Sequence, residues 1–330
     1  MNSKTLIIIR IGKIKTMIKI TREFGLDAQG FTQHNVDFLD VYLGVDNPLF
    51  LDYNKIILGN TIFHRYMKND IASFMGKMFL YLSSTNDIKL SELLDGLHET
   101  NATHLGLSNG NPRGKSVGNE LKEAIFNNLK YLKKAFSKGN LEIDSIYFGI
   151  KNIGPDRISD IVTSIIKSHL IEFTQKQCTK HNILMKKVPI SNIYNSISAT
   201  WETKFVELPF YENKPIIFIP KDIISSYAFI SGTFHSFVRY GFNNFFKNSV
   251  AYKKSVRGKD GNLDKNLTRN EFDKYNKGLG LNEKDISQKI LSEFENKDVI
   301  NLFAEIRRNV NILSDDDLIE IIENNFRQAN

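Results

Sequence analysis

The alternation of apolar and polar positions is sharpest between Leu141 and Cys178. There an apolar run, Ile143 to Ile150, meets a Gly154-Pro155 corner, and an amphipathic stretch opens on Asp156. A β-favouring run cut by Gly-Pro and followed by helical spacing predicts strand, turn and helix in that order. Ile158, Ile161, Val162 and Ile165 gather on one side of this helix and are expected to be buried. Asp156, Asp160 and Lys167 fall along the opposite side. Because this unit is central in the chain, both ends must pack around it.

The flanking pattern is less regular. Residues 5–58 read mostly as strands and turns, with short apolar segments at Val36 to Leu43 and Pro48 to Leu58. Ile62, Tyr66, Ile71, Phe74, Met78 and Tyr81 predict a helix over 61–83, and a shorter one covers Ile88 to Leu97. A glycine-rich loop, His104 to Gly118, precedes a helix expected from Asn119 to Ser137. Asn182 to Ile197 reads as irregular. Phe205 to Leu208 and Pro215 to Pro220 read as two short strands about a turn, and Ile223 to Phe246 as an aromatic helix. Residues 257–285 are rich in Gly, Asn and Lys and read as an exposed loop or linker. The last 45 residues read as helical, with Ser314 and Asp317 spaced as a side-chain cap and an acid three positions on. The order of elements predicts an α+β fold: a mixed α/β core over 1–256, the linker over 257–285 and a helical C-terminal segment over 286–330.

Composition narrows the class. With 41% hydrophobic and 25% charged residues, the 330-residue chain can bury a sizeable core. The longest apolar run near the N-terminus, Leu6 to Ile9, is far short of the roughly 20 residues that span a bilayer, and no small-residue cleavage site follows it. No membrane partner is therefore expected. Met17 is a second candidate start, which would leave residues 1–16 outside the fold. The single cysteine, Cys178, excludes an internal disulfide and fits a reducing, cytoplasmic setting, as a buried thiol rather than a nucleophile. A net charge of +7 favours a polyanionic partner.

Four stretches carry candidate chemistry. Asp156 and Asp160 share a helix face, and two close carboxylates suit Mg2+ or Mn2+; the same acids also suit a helix cap and first turn. Glu202 and Lys204, in Trp201-Glu-Thr-Lys204, point to one face of a strand. An upstream Asp with a later Glu-x-Lys is the bare pattern of restriction-endonuclease-like nucleases, although a helix and a loop intervene here. On that pattern Asp156, Asp160 and Glu202 would hold the metal and Lys204 would orient the attacking water. The alternative is a solvated strand edge.

Asn109 to Ser116 approaches a P-loop with Asn109 in place of the first glycine, so Arg113 and Lys115 are candidate phosphate ligands. Phe234 to Lys259 has no acidic residue and interleaves Arg239, Lys247, Lys253, Lys254 and Arg257 with aromatics. Cations that track a backbone and rings that stack on bases suit single-stranded nucleic acid; a core-facing aromatic helix with a basic outer face is the alternative. Asp260, Asn262, Asp264 and Glu271 have calcium-loop spacing, but Lys265 stands where glycine is needed. His98, Glu99 and His104 would form only part of a zinc site.

Two main readings follow. One is a metal-dependent nuclease, a phosphodiester hydrolase acting on nucleic acid, with a role in defence against foreign nucleic acid as one setting. The other is a non-catalytic nucleic-acid-binding or assembly subunit, with a protein partner or a second copy engaged through the helical C-terminus. A nucleotide-binding enzyme using the 104–118 loop is third.

Overall fold

A computed structural model describes residues 7–10, 13–98, 100–106, 122–124, 126, 155–226, 237–238, 240–241, 244 and 313–328. The fold is mixed α+β, with helices around small antiparallel sheets. β1 (Ile7–Arg10) and β2 (Lys13–Thr16) form a hairpin. β3 (Ile18–Lys19) leads into the short α1 (Ile20–Glu23) and pairs with β4 (Tyr42–Leu43).

The apolar segment Pro48 to Leu58 divides into β5 (Leu49–Leu51) and α2 (Tyr53–Leu58). Asp52 causes the change, because its carboxylate accepts the Asn54 amide at 2.9 Å and caps the helix. α3 (Ile62–Ser83) is capped by Thr61, whose hydroxyl accepts the His64 amide at 3.2 Å. α4 (Asp87–Asp95) is capped by Asn86. Both match the expected helices.

α5 (Pro155–Lys180) is the spine. Pro155 at its start has the fixed φ that a first helical turn needs. Ile158, Ile161, Val162 and Ile165 are buried as expected. The opposite side is not solvent, however: Ser159, Thr163, Ser164, Lys167 and Thr174 are buried too. α5 is covered by α3, β5 and the hairpin that follows it. An amphipathic pattern identifies one buried face, but how many neighbours cover the helix is a property of the whole fold. The expected strand at Ile143 to Ile150 and most of the 119–137 helix lie outside the described residues; 122–124 and 126 are helical.

Two expectations fail in the next region. Asn182 to Ile197 is not irregular: it contains β6 (Lys186–Asn195), paired antiparallel with β7 (Thr200–Leu208). Pro189 and a register shift between Ile190 and Ile193 break up the alternation that would have announced the strand. Pro215 to Pro220 is not a strand beyond its first residue. β8 (Phe210–Tyr211) and β9 (Lys214–Pro215) form a tight hairpin, after which Ile216, Ile217, Phe218 and Ile219 are buried without regular structure. Their backbone finds separate partners: the Ile217 amide donates to Ala102 O at 2.8 Å and the Phe218 amide to Thr174 Oγ1 at 2.9 Å.

The expected helix from Ile223 is also corrected. Ile224–Ser226 form β10, antiparallel to β5, so the segment begins as a strand; among the described residues after it, 237–238, 240–241 and 244 are helical. α6 (Asp315–Gln328) begins with the expected cap: Asp317 N donates to Ser314 Oγ at 3.1 Å and Ser314 N to Asp317 Oδ2 at 2.8 Å. Leu318 and Ile322 of α6 are buried in the common core. No helix among the described residues is long and apolar enough to cross a membrane.

Candidate functional site

α5 and the β6–β7 hairpin carry the acids singled out in the sequence. Asp156 lies in the first turn of α5, exposed, where the helix dipole favours a carboxylate. Asp160 is half-buried one turn later. Its carbonyl and that of His98 lie 2.9 and 2.7 Å from the hydroxyl of Ser164, which ties this end of α5 to the segment after α4.

Glu202 and Lys204 lie two apart on β7 and so share a face. Lys204 Nζ stands 3.3 Å from Glu202 Oε2, and the Asn195 amide donates to Glu202 Oε1. The Asn195 bond and then Lys204 hold the Glu202 carboxyl below the usual carboxylate range. The neighbouring Trp201 fixes the hairpin in place. Its indole N–H donates to Leu93 O at 2.9 Å, and the ring lies over Gly96, where an added Cβ would come within 2.0 Å of it.

The structure therefore brings Glu202 and Lys204 together. Among the described residues, no group of three or more His, Cys, Asp or Glu side chains is arranged to hold a metal ion, and this includes Asp156, Asp160 and Glu202. His98 and His104 are described, and neither belongs to such a group; Glu99 is outside the described residues. Arg113, Lys115, Arg239, Lys247, Lys253, Lys254 and Arg257 also lie outside them, as does the calcium-like spacing from Asp260. Of the aromatic–basic stretch, Phe237 and Val238 are fully buried and Tyr240 packs against the core. These positions serve packing, as the core-facing alternative requires. Cys178 is buried, and burial pushes its thiol up to about 12, which suits a structural rather than a nucleophilic role.

Two features escaped sequence reasoning. His169 Nε2 on α5 lies 2.8 Å from Asp70 Oδ2 on α3, with Tyr66 stacked on the imidazole at 6.1 Å. His169 Nδ1 is buried with no hydrogen-bond partner among the described residues. The pair is 99 positions apart, so no local spacing could announce it. The second is Lys167, which points at β6, with Nζ 3.5 Å from Ser191 O. Desolvation lowers its ammonium to about 8.

A family described as a domain of unknown function, DUF8370, matches residues 30–231, more than half of the chain. The chain belongs to that family. The DUF8370 span contains α5, the β6–β7 hairpin and all of Asp156, Asp160, Glu202 and Lys204, and it ends before the basic stretch. No curated protein and no solved structure matches the chain.

Proposed function

We propose that this chain binds nucleic acid without cutting it, as a folded body that carries a basic segment. The observation that carries this reading is where the charge lies. Phe234 to Lys259 holds six Lys and Arg residues and no acid, nearly the whole of the net +7. Its front end is anchored, since Phe237 and Val238 are in the core, while its basic end follows from Lys247 onward. The candidate acids have structural work instead: Asp156 sits at a helix start, and Glu202 is engaged by Asn195 and Lys204. A reducing, cytoplasmic setting suits the lone buried thiol.

The test is to incubate the protein with labelled single- and double-stranded DNA and RNA, with Mg2+, Mn2+ or a chelator, reading binding and cleavage together. Binding is expected to weaken steeply with salt. Replacing Lys253, Lys254 and Arg257 together by Ala should reduce the log–log salt slope by about 2–3, as three phosphate contacts release fewer counterions. An unchanged slope would move the surface elsewhere, with Arg113 and Lys115 next to be tested. The second reading, a metal-dependent nuclease using Asp156, Asp160, Glu202 and Lys204, is favoured by the Glu202–Lys204 contact on one strand face. Chelator-sensitive cleavage that Asp160→Ala abolishes while binding persists would establish it.

A further inference from the structure

We propose that the outer edge of β7 pairs antiparallel with the same edge of a second copy of this chain, about a twofold axis through Thr203. β6 and β7 form a two-stranded sheet, so one edge of β7 pairs with β6 and the other with no strand among the described residues. The carbonyl of Glu207 near the end of β7 already accepts from the Gln175 side-chain amide at 3.1 Å, and the strand before it, Thr200 to Val206, is a template for strand addition unless the sequence protects it. Proteins usually protect such an edge with a charge. Here Glu207, near the end of β7, falls opposite Ala199 in the register proposed, beyond the start of the second β7, and the charges in the middle of the strand are Glu202 and Lys204. Against a strand of unrelated sequence they would meet arbitrary neighbours.

Against a second β7 in antiparallel register they meet each other. An axis through Thr203 sets Glu202 opposite the partner's Lys204, and Lys204 opposite the partner's Glu202. Opposite charges directly across a strand pair are favourable and like charges are not. The same register sets Phe205 opposite the partner's Trp201. Phe205 is 69% exposed in the single chain, the largest exposed aromatic surface on the hairpin, and Trp201 is half-buried over Gly96. Pairing therefore covers an exposed ring with an aromatic neighbour on both sides of the axis. The interface is isologous, as a closed twofold dimer requires, and each copy contributes the same self-complementary run, Trp-Glu-Thr-Lys-Phe. It is independent of the basic segment and of the nucleic-acid reading.

Charge exchange tests the register. The full-length protein is run in sedimentation velocity over roughly 1–100 µM, where a dimer of moderate affinity dissociates on dilution. The wild type should show a concentration-dependent dimer. Lys204→Glu alone, or Glu202→Lys alone, should weaken it by about tenfold or more, because each places like charges opposite one another twice. Mixing the two single variants in equal amounts should restore a dimer, since each repelling pair becomes an attracting one. The double variant, Glu202→Lys with Lys204→Glu, should dimerise by itself. Circular dichroism and melting of each variant verify that the fold is intact, and recovery on mixing also excludes misfolding as the cause of dissociation. A wild type that stays monomeric across the range overturns the proposal. So do single variants that dimerise as well as wild type, or a mixture that stays monomeric.

Discussion

Lys167 shows how one residue can work against the fold that contains it. A buried ammonium gives up its hydration, and the long contact to Ser191 O replaces little of it. Its folded pKa, about 8, lies below the ordinary lysine value of 10.5. The native state thus disfavours the proton that the unfolded chain keeps. Below pH 8 the whole penalty is present, on the order of 3 kcal/mol for a shift of this size. Between pH 8 and 10.5 the unfolded chain binds more protons than the folded one, so stability rises with pH and then levels off. Lys167→Met should stabilise the protein at pH 7 in urea unfolding, and the gain should shrink toward pH 10. A variant that gains nothing at pH 7 would mean that the ammonium has a better partner than Ser191 O.

At the scale of elements, the β6–β7 hairpin depends on a notch at the end of α4. Gly96 has an ordinary backbone conformation, φ −80, so the local chain would accept alanine there. The indole would not, because the new Cβ would lie 2.0 Å from the Trp201 ring. Gly96→Ala should therefore destabilise the fold by about 1–3 kcal/mol, the usual cost of forcing atoms into a filled site. Trp201 is the only tryptophan, so its fluorescence reports the same event. The emission should shift to the red as the ring leaves its seat. An unchanged spectrum and melting temperature would show that the hairpin is held by its other contacts, such as Tyr194 against Phe74.

For the molecule as a whole, the C-terminal helix is part of the core rather than an appendage. Tyr42 stacks on Phe326 at 4.5 Å, Lys19 pairs with Glu323 at 2.6 Å and Lys221 with Asp315 at 2.7 Å. These surround the buried Leu318 and Ile322. These ion pairs are half-buried rather than fully exposed, yet water still reaches them and screens them, so the apolar side chains carry most of the docking. Ile322→Ala should cost about 2–5 kcal/mol and lower the midpoint of a single unfolding transition. A variant with an unchanged main transition and a separate early one would show that α6 undocks by itself.

The sequence by itself determined the α+β class, the helices at 62–83 and 155–180, the Ser314 cap and the burial of Ile158, Ile161, Val162 and Ile165. All of these follow from contacts within a few residues, where periodicity and capping chemistry act. It also placed Glu202 and Lys204 on one strand face, because alternation along a strand is local. Only the tertiary structure decided the rest. β6 carries a proline and a bulge, and it is a strand because β7 supplies the ladder. Ile216 to Ile219 look like a strand, yet Ala102 and Thr174 take amides that a sheet would have used. Lys167 became buried because α5 is covered on more than one side, and His169 met Asp70 because α3 packs against α5. Each of these depends on residues distant in the chain, and no pattern read along the chain records which distant segment will supply the partner.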